Sequence, residues 1–293
     1  VNLSVMAKRT AGLVATPGRI TALLSAATRS ALPNSWLAPA NVTAAPSAEP
    51  INWRRVGVSS RVMAGRRVFV SGVGGELGTL VANLLEDEPW VGSLSGIDAD
   101  PPRRRLQRTT FHRISPDDHD TIVDTVTKFN PHVLVHVGVW EPDARAAPRV
   151  AAALTDQAAV SVLGAAAECR ALDSIIVRSG IEIYGRGPGS LTRPDEDAPL
   201  HPTSDSGRTV AAIEKTAAGV ATRVGVTVGA VRLASVLGPH VPSPLGRLLR
   251  QPVVPFSALT DPPFAVVEHL DAARAIVAAA RNQLASPVNV VAP

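Results

Sequence analysis

Gly72, Gly75 and Gly78, in the run Ser71-Gly72-Val73-Gly74-Gly75-Glu76-Leu77-Gly78, are the residues whose type and spacing most directly imply chemistry. The spacing G-x-x-G-x-x-G suits a turn that holds a pyrophosphate. The first glycine permits a tight turn, the second lets backbone approach the phosphates, and the third lets a helix pack on the preceding strand. The helix N-terminus adds free N–H groups and a partial positive charge. Val68 to Val70 reads as the strand before the turn, and Thr79 to Leu85 continues the helix after it. Leu94 to Asp98 reads as a second strand ending in an acid twenty residues past Gly78. A carboxylate there accepts hydrogen bonds from a ribose diol. A bound dinucleotide is therefore expected. Asp98 favours NAD, because its charge repels a 2′-phosphate. Arg103, Arg104 and Arg105 keep NADP as the less favoured alternative, although a solvated basic loop is the favoured reading of them.

The elements that must position this turn alternate strand and helix from residue 66 onward, as a parallel sheet requires. A third strand is weakly indicated over 110–114. Asp117 or Asp118 opens a helix through Phe129. His132 to Val139 is the strongest strand, apolar enough to be buried on both faces. A long Ala-rich helix runs from Pro148 to Cys169. Strands over 174–179 and 226–233, helices over 209–222 and 271–281, and a short strand over 288–291 complete the pattern. Residues 185–206 and 238–265 are rich in Gly and Pro and read as insertions that build a small substrate lobe. The expected fold class is α/β, a Rossmann-like doubly wound parallel sheet. Residues 63–293 form the NAD(P)-binding domain.

Composition bounds the rest. The 293 residues hold 3% aromatics, so the core is built from Val, Leu, Ile and Ala. Cys169 is the single cysteine, which excludes an internal disulfide and fits a reducing, cytoplasmic setting. It closes an Ala-rich run and reads as a buried helix residue, not a nucleophile. No uninterrupted apolar run reaches the roughly 18 residues of a membrane span. Residues 1–62 hold seven Lys/Arg and one acid, whereas 63–293 hold 22 and 24, so the basic balance belongs to the N-terminal part. No nucleic-acid site is expected on the main domain. Residues 1–62 read as a disordered basic extension with a short helix from Ile20 to Leu32. Two alternatives stand beside this: a weakly amphipathic arm on an anionic membrane, and a misassigned start, with Met63 opening the domain.

The motifs together resemble the extended short-chain dehydrogenase/reductase family, in its NAD-dependent epimerase/dehydratase branch. The resemblance covers roughly residues 66–293. It rests on S-G-V-G-G-E-L-G at 71–78, G-I-D at 96–98, V-L-V-H-V-G at 133–138 and R-S-G-I-E-I-Y-G at 178–185. E-D-A-P-L-H-P at 196–202, V-R-L-A-S-V-L-G-P at 231–239 and E-H-L-D-A-A-R-A at 268–275 add to it. It implies that Gly72, Gly75 and Gly78, with the Glu76 and Leu77 amides, hold the pyrophosphate. It also implies that Asp98 binds the adenosine ribose, that Val137 and Gly138 line the cofactor, and that Ser179 sits beside the nicotinamide. A nucleotide sugar as second ligand, homodimers through helices near 148–169 and 207–222, and further chain past the last strand are implied too. The C-terminal lobe is then incomplete.

The resemblance fails at the chemistry. The family moves protons with a Tyr and a Lys four residues later. Tyr184 is the single tyrosine, and Pro188 stands four residues beyond it. Register against the family pattern puts Ser206 at the Tyr position, Val210 at the Lys position, Gly180 at the Ser/Thr position and Ser115 at an expected Asp. Two readings follow. One is a dinucleotide-binding, catalytically degenerate protein with a binding, scaffolding or sensing role. The other is a nucleotide-sugar epimerase/dehydratase or oxidoreductase with non-standard acid/base groups, for which Ser179, Glu182 and Ser206 are the candidates, with Asp205 and His201 behind them. Glu182 serves equally well as a loop cap. His136 is expected as a core histidine, and the acids at 195–197 as solvated. No metal site is expected.

Overall fold

The computed structural model describes residues 13–16, 19–22, 65–140, 147–187, 190–191, 193–249, 251–253 and 264–292. Two units separate by their internal contacts. The larger holds residues 54–244 and 263–292, and the smaller holds 1–53, 245–262 and Pro293. In the smaller unit, β1 (Leu13–Thr16) and β2 (Arg19–Ala22) pair as an antiparallel hairpin. Ile20 to Ala22 therefore lie in a strand, where a helix is expected from the sequence. The remainder of that expected helix lies outside the described residues.

The larger unit is a seven-stranded, wholly parallel sheet. Its strands are β3 (Arg66–Ser71), β4 (Val91–Asp98), β5 (Thr109–Arg113), β6 (Val133–His136), β7 (Ser174–Gly180), β8 (Thr227–Leu233) and β11 (Val288–Val290), in the order β11-β8-β7-β6-β3-β4-β5. Chain direction across the sheet reverses between β3 and β6. Open α/β sheets form their ligand crevice at such a point, beyond the carboxyl ends of the strands.

Both faces of the sheet are covered, which explains the near-continuous apolar strands. Helices α1 (Glu76–Glu86) and α6 (His269–Arg281) pack Leu77, Val81, Leu85, Ile276 and Ala280 against one face. Helices α2 (His119–Phe129), α3 (Pro148–Ala167) and α4 (Asp205–Val224) pack Ile122, Val126, Val162, Leu163, Ile213 and Ala217 against the other. α3 is the one described helix long and apolar enough to cross a bilayer. Half of that window is buried, as in a core helix. Cys169, just beyond α3, is buried, and burial pushes its thiol up to about 11, so it behaves as an inert core residue.

Local signals place the termini. Asp118 caps α2 by accepting from Thr121 N–H at 3.2 Å, Ser204 caps α4 through Gly207 N–H at 3.0 Å, and Glu268 caps α6 through Leu270 and Asp271 N–H. Two features differ from the sequence reading. β6 stops at His136, and residues 137–139 leave the ladder to wall the crevice. The proline-rich stretch after β8 contains ordered elements. β9 (Ser235–Leu237) and β10 (Val266–Glu268) form a small parallel sheet, and α5 (Pro244–Leu249) is a short helix.

Candidate functional site

The cleft is built from the glycine turn. Gly72 follows β3 with φ +90°, a conformation that favours glycine, and a Cβ there would lie 2.4 Å from Gly138 N. A Cβ on Gly78 would lie 1.8 Å from Gly72 O. These two glycines are therefore sterically required, one for the approach of the β3 and β6 ends and one for the approach of α1 to its own turn. Gly75 differs. Its Cβ would meet nothing closer than 3.7 Å, so it leaves open space above the turn. Gly74 is the one the pattern does not single out. A Cβ there would meet Asp100 O at 2.3 Å and the Asp98 carboxyl carbon at 2.8 Å.

The amides point the right way for an anion. Thr79 N–H is the one that bonds back to Gly75 O, at 2.9 Å, so the Glu76, Leu77 and Gly78 amides precede that helical bond. Asp98 sits at the end of β4 and accepts from Gly74 N–H at 2.9 Å and Asp100 N–H at 3.0 Å. A carboxylate has about four lone-pair sites, so acceptor capacity remains for a ribose diol. Burial raises the Asp98 carboxyl above its usual value, and the two amide hydrogen bonds counter this only in part. Gly72, Gly74, Gly75, Glu76, Leu77, Gly78, Asp98, Val137 and Gly138 all line one cleft of about 380 Å³. The cradle that a Cβ would fill, the pre-helical amides and the held carboxylate fit a dinucleotide.

The basic loop after β4 is exposed at Arg103, Arg104 and Arg105, as a solvated loop would be, and is tied along α1 at two points. Thr79 Oγ1 accepts Arg103 N–H at 2.9 Å, and Arg104 pairs with buried Glu76 at 3.0 Å. The Glu86 carboxylate takes the Gln107, Arg108 and Thr109 amides and the Thr109 hydroxyl. Burial opposes its ionisation, but those bonds together bring its carboxyl below the ordinary value. Arg103 lines the cleft beside Asp98.

A second cavity of about 110 Å³ opens beside the first, and the two share Val139, Trp140, Arg178, Val236, Val241 and Pro242 in their walls. Ser179, Gly180, Glu182, Ser206 and Val210 all line it. The elements behind this are β7, the 3-10 turn Ile181–Tyr184 that follows it, and the first turn of α4. The three catalytic candidates are thus brought together, with Asp205, whereas exposed His201 is not among the lining residues. Ser206 and Val210 both stand in the wall of this cavity. Val210 packs with Ile183, Tyr184 and Ala198 in a small apolar cluster. The Ser179 hydroxyl is buried with no hydrogen-bond partner.

Tyr184 is elsewhere. Its hydroxyl donates to Asn289 Oδ1 at 2.8 Å and accepts from Arg232 at 2.7 Å. Buried Arg232 also makes a two-pronged pair with Glu214, at 3.0 and 2.8 Å, and donates to Glu196 O. Glu196 in turn accepts from Asn289 N–H at 2.7 Å. Glu196 is therefore a tie between the loop and β11, in place of the solvated acid expected from its neighbours. Sequence reasoning missed this network, since nothing in the spacing of 184, 196, 214, 232 and 289 signals it. His136 is a core histidine as expected. It is fully buried, shares a 2.6 Å hydrogen bond with Ser71, and leaves Nε2 without a partner. Burial, with Arg178 nearby, pushes it down to about 4. No metal-binding group of His, Cys, Asp and Glu occurs among the described residues.

Fold and site together define a Rossmann-type dinucleotide-binding protein. The profile of the NAD dependent epimerase/dehydratase family matches residues 68–290, and the chain belongs to that family. A search of curated proteins finds no match. Among solved structures, UDP-glucose 4-epimerase from Brucella ovis in complex with NAD is 21% identical, with a TM-score of 0.63 over 78% of each chain. UDP-glucose 4-epimerase from Thermotoga maritima with UDP-glucose is 18% identical, with a TM-score of 0.61 over 77% of this chain and 76% of that one. The Bordetella bronchiseptica enzyme WbmH in complex with NAD+ is 23% identical, with a TM-score of 0.60 over 76% and 74%.

Proposed function

We propose that this protein holds NAD in the cleft at residues 72–78 and acts as a binding or sensing member of its family, without the family's hydride chemistry. One observation carries the reading. The glycine cradle is kept down to its sterically required members, while α4 presents Ser206 and Val210 to the adjoining cavity. A serine hydroxyl and an isopropyl group supply neither the proton relay nor the cation that a Tyr–Lys pair supplies. General acid–base groups contribute about 10²–10⁴-fold in rate, so their loss removes most turnover. When bound, oxidised nicotinamide would offer a hydride acceptor. This chain's own residues bind and orient it: the amides at 76–78 hold its pyrophosphate, and Asp98 holds its adenosine ribose and disfavours a 2′-phosphate.

Calorimetry against NAD, NADH and NADP tests the first part. Binding of NAD with weaker binding of NADP is expected, and no heat with any dinucleotide would sink the reading. Incubation with NAD and UDP-glucose tests the second part, and no product is expected. Product formation would replace this reading by the other one, a nucleotide-sugar epimerase/dehydratase or oxidoreductase using non-standard groups. What favours that alternative is the convergence of Ser179, Glu182 and Ser206 on one cavity beside the cleft. A homodimer through α3 and α4 accompanies either reading, supported by the exposure of Val150 and Val160 on α3.

A further inference from the structure

Glu76 puts a negative side chain at the phosphate-binding turn. It is the first residue of α1, its side chain is 4% exposed, and it lines the dinucleotide cleft. A carboxylate at this end of a helix is drawn to the free N–H groups and to the positive end of the dipole. In this fold it goes elsewhere. Its carboxylate takes Arg104 at 3.0 Å, and Arg104 is its one partner among the described residues. Arg104 stands in the loop after β4, which the Arg103 N–H bond to Thr79 Oγ1 holds against α1. Its own side chain is 53% exposed, so the cation of the pair faces solvent and the acid is enclosed. α1 has no side-chain cap, and its pre-helical amides stay open to a ligand.

We propose that Arg104 is a positioning residue of the dinucleotide site: it neutralises the Glu76 carboxylate and holds it away from the amides that take the pyrophosphate. This rests on the reading of the cleft as a dinucleotide site. The carboxylate has few alternatives. It is too enclosed to be solvated, and an enclosed charge needs a partner. The donors next along the chain are the free amides of α1, the same ones that a pyrophosphate needs. Without Arg104 the carboxylate would compete with the ligand for those amides and would repel it. Asp98 shows the contrast, since the Gly74 and Asp100 amides already hold its carboxylate. Arg104 thus acts on the ligand through Glu76, with no contact of its own.

The test is a double-mutant cycle on the full-length protein, read by calorimetry with NAD. It compares the wild type, Arg104→Gln, Glu76→Gln and the double variant, with Arg104→Lys as the conservative change. Arg104→Gln is expected to weaken NAD about ten-fold or more. Adding Glu76→Gln to it should recover that loss, and the double variant should match Glu76→Gln within about two-fold. Arg104→Lys keeps the charge and should bind NAD more tightly than Arg104→Gln. Equal affinity of wild type and Arg104→Gln overturns the proposal. A loss that persists in the Glu76→Gln background also overturns it, by making Arg104 a direct phosphate contact. Equal weakening of both single variants and the double overturns it too, since that is the mark of a mere structural tie. Should Arg104→Gln fail to fold, Glu76→Gln and the double variant are read against the wild type. Neither strands a carboxylate, so NAD affinity no lower than wild type sustains the proposal and weakening of either overturns it. Failure of the wild type to bind NAD overturns the dinucleotide reading and this proposal with it, whereas every other adverse result leaves that reading standing.

Discussion

At the scale of single residues, His136 has the most direct measurable consequence. It is neutral in the fold, pushed down to about 4 from an ordinary value of 6.5. The unfolded chain therefore binds more protons between those values. A base with a depressed folded pKa stabilises the fold above its unfolded pKa, and that stability is lost as pH falls toward the folded one. Stability should drop by about 1.4 kcal/mol per pH unit below pH 6.5, approaching roughly 3 kcal/mol near pH 4. Urea titrations at pH 7 and pH 5 check this. His136→Gln should remove that slope, and an unchanged slope would assign it to other groups. The glycines show how far residue types alone reach. Gly72 and Gly78 are legible in the sequence because only glycine fits there, while Gly74 is equally constrained and lies outside the pattern. Its constraint comes from Asp98 at the end of β4 and Asp100 just beyond it, and no local spacing carries that.

At the scale of elements, the buried Arg232 ties β8 to α4, to the 3-10 turn after β7, and to the loop before Ala198. Removing one partner of such a pair strands a buried charge, and Glu214→Ala is expected to cost about 3–5 kcal/mol. Tyr184→Phe removes one hydroxyl from the same network and should cost about 1–2 kcal/mol, with NAD affinity unchanged. Denaturant melts and calorimetry on the two variants check both. A loss of NAD binding by Tyr184→Phe would mean that the tyrosine serves the cleft after all. Elements with a strong period were legible: α1, α2, α6 and the buried strands follow the sequence to within a few residues. β9 and β10 were not, because each is three residues long and made only by pairing with the other. α5 hid for a similar reason, being a short helix in a run whose prolines read as breakers.

At the scale of the whole molecule, the parallel sheet and its switch point follow from strand–helix alternation, whereas the arrangement of the second cavity does not. It takes residues from β7, α4 and the segment after β8, whose approach depends on Gly207 and Gly180. The proposed homodimer is also a whole-molecule property. Val150 and Val160 on α3 are 52% and 57% exposed. A two-fold interface would cover such side chains on both copies at once. Sedimentation velocity should show a dimer for the wild type and a shift toward monomer for Val160→Glu. A wild-type monomer would dismiss the assignment.

Trp140 and Arg178 stand in the wall between the cleft and the cavity, and each faces both. Two occupants that touched the same two side chains would be energetically coupled. Thermodynamic reciprocity then fixes a relation that holds whatever the chemistry: the factor by which a dinucleotide alters the second ligand's dissociation constant equals the factor by which that ligand alters the dinucleotide's. A protein so built can report one metabolite through its grip on another.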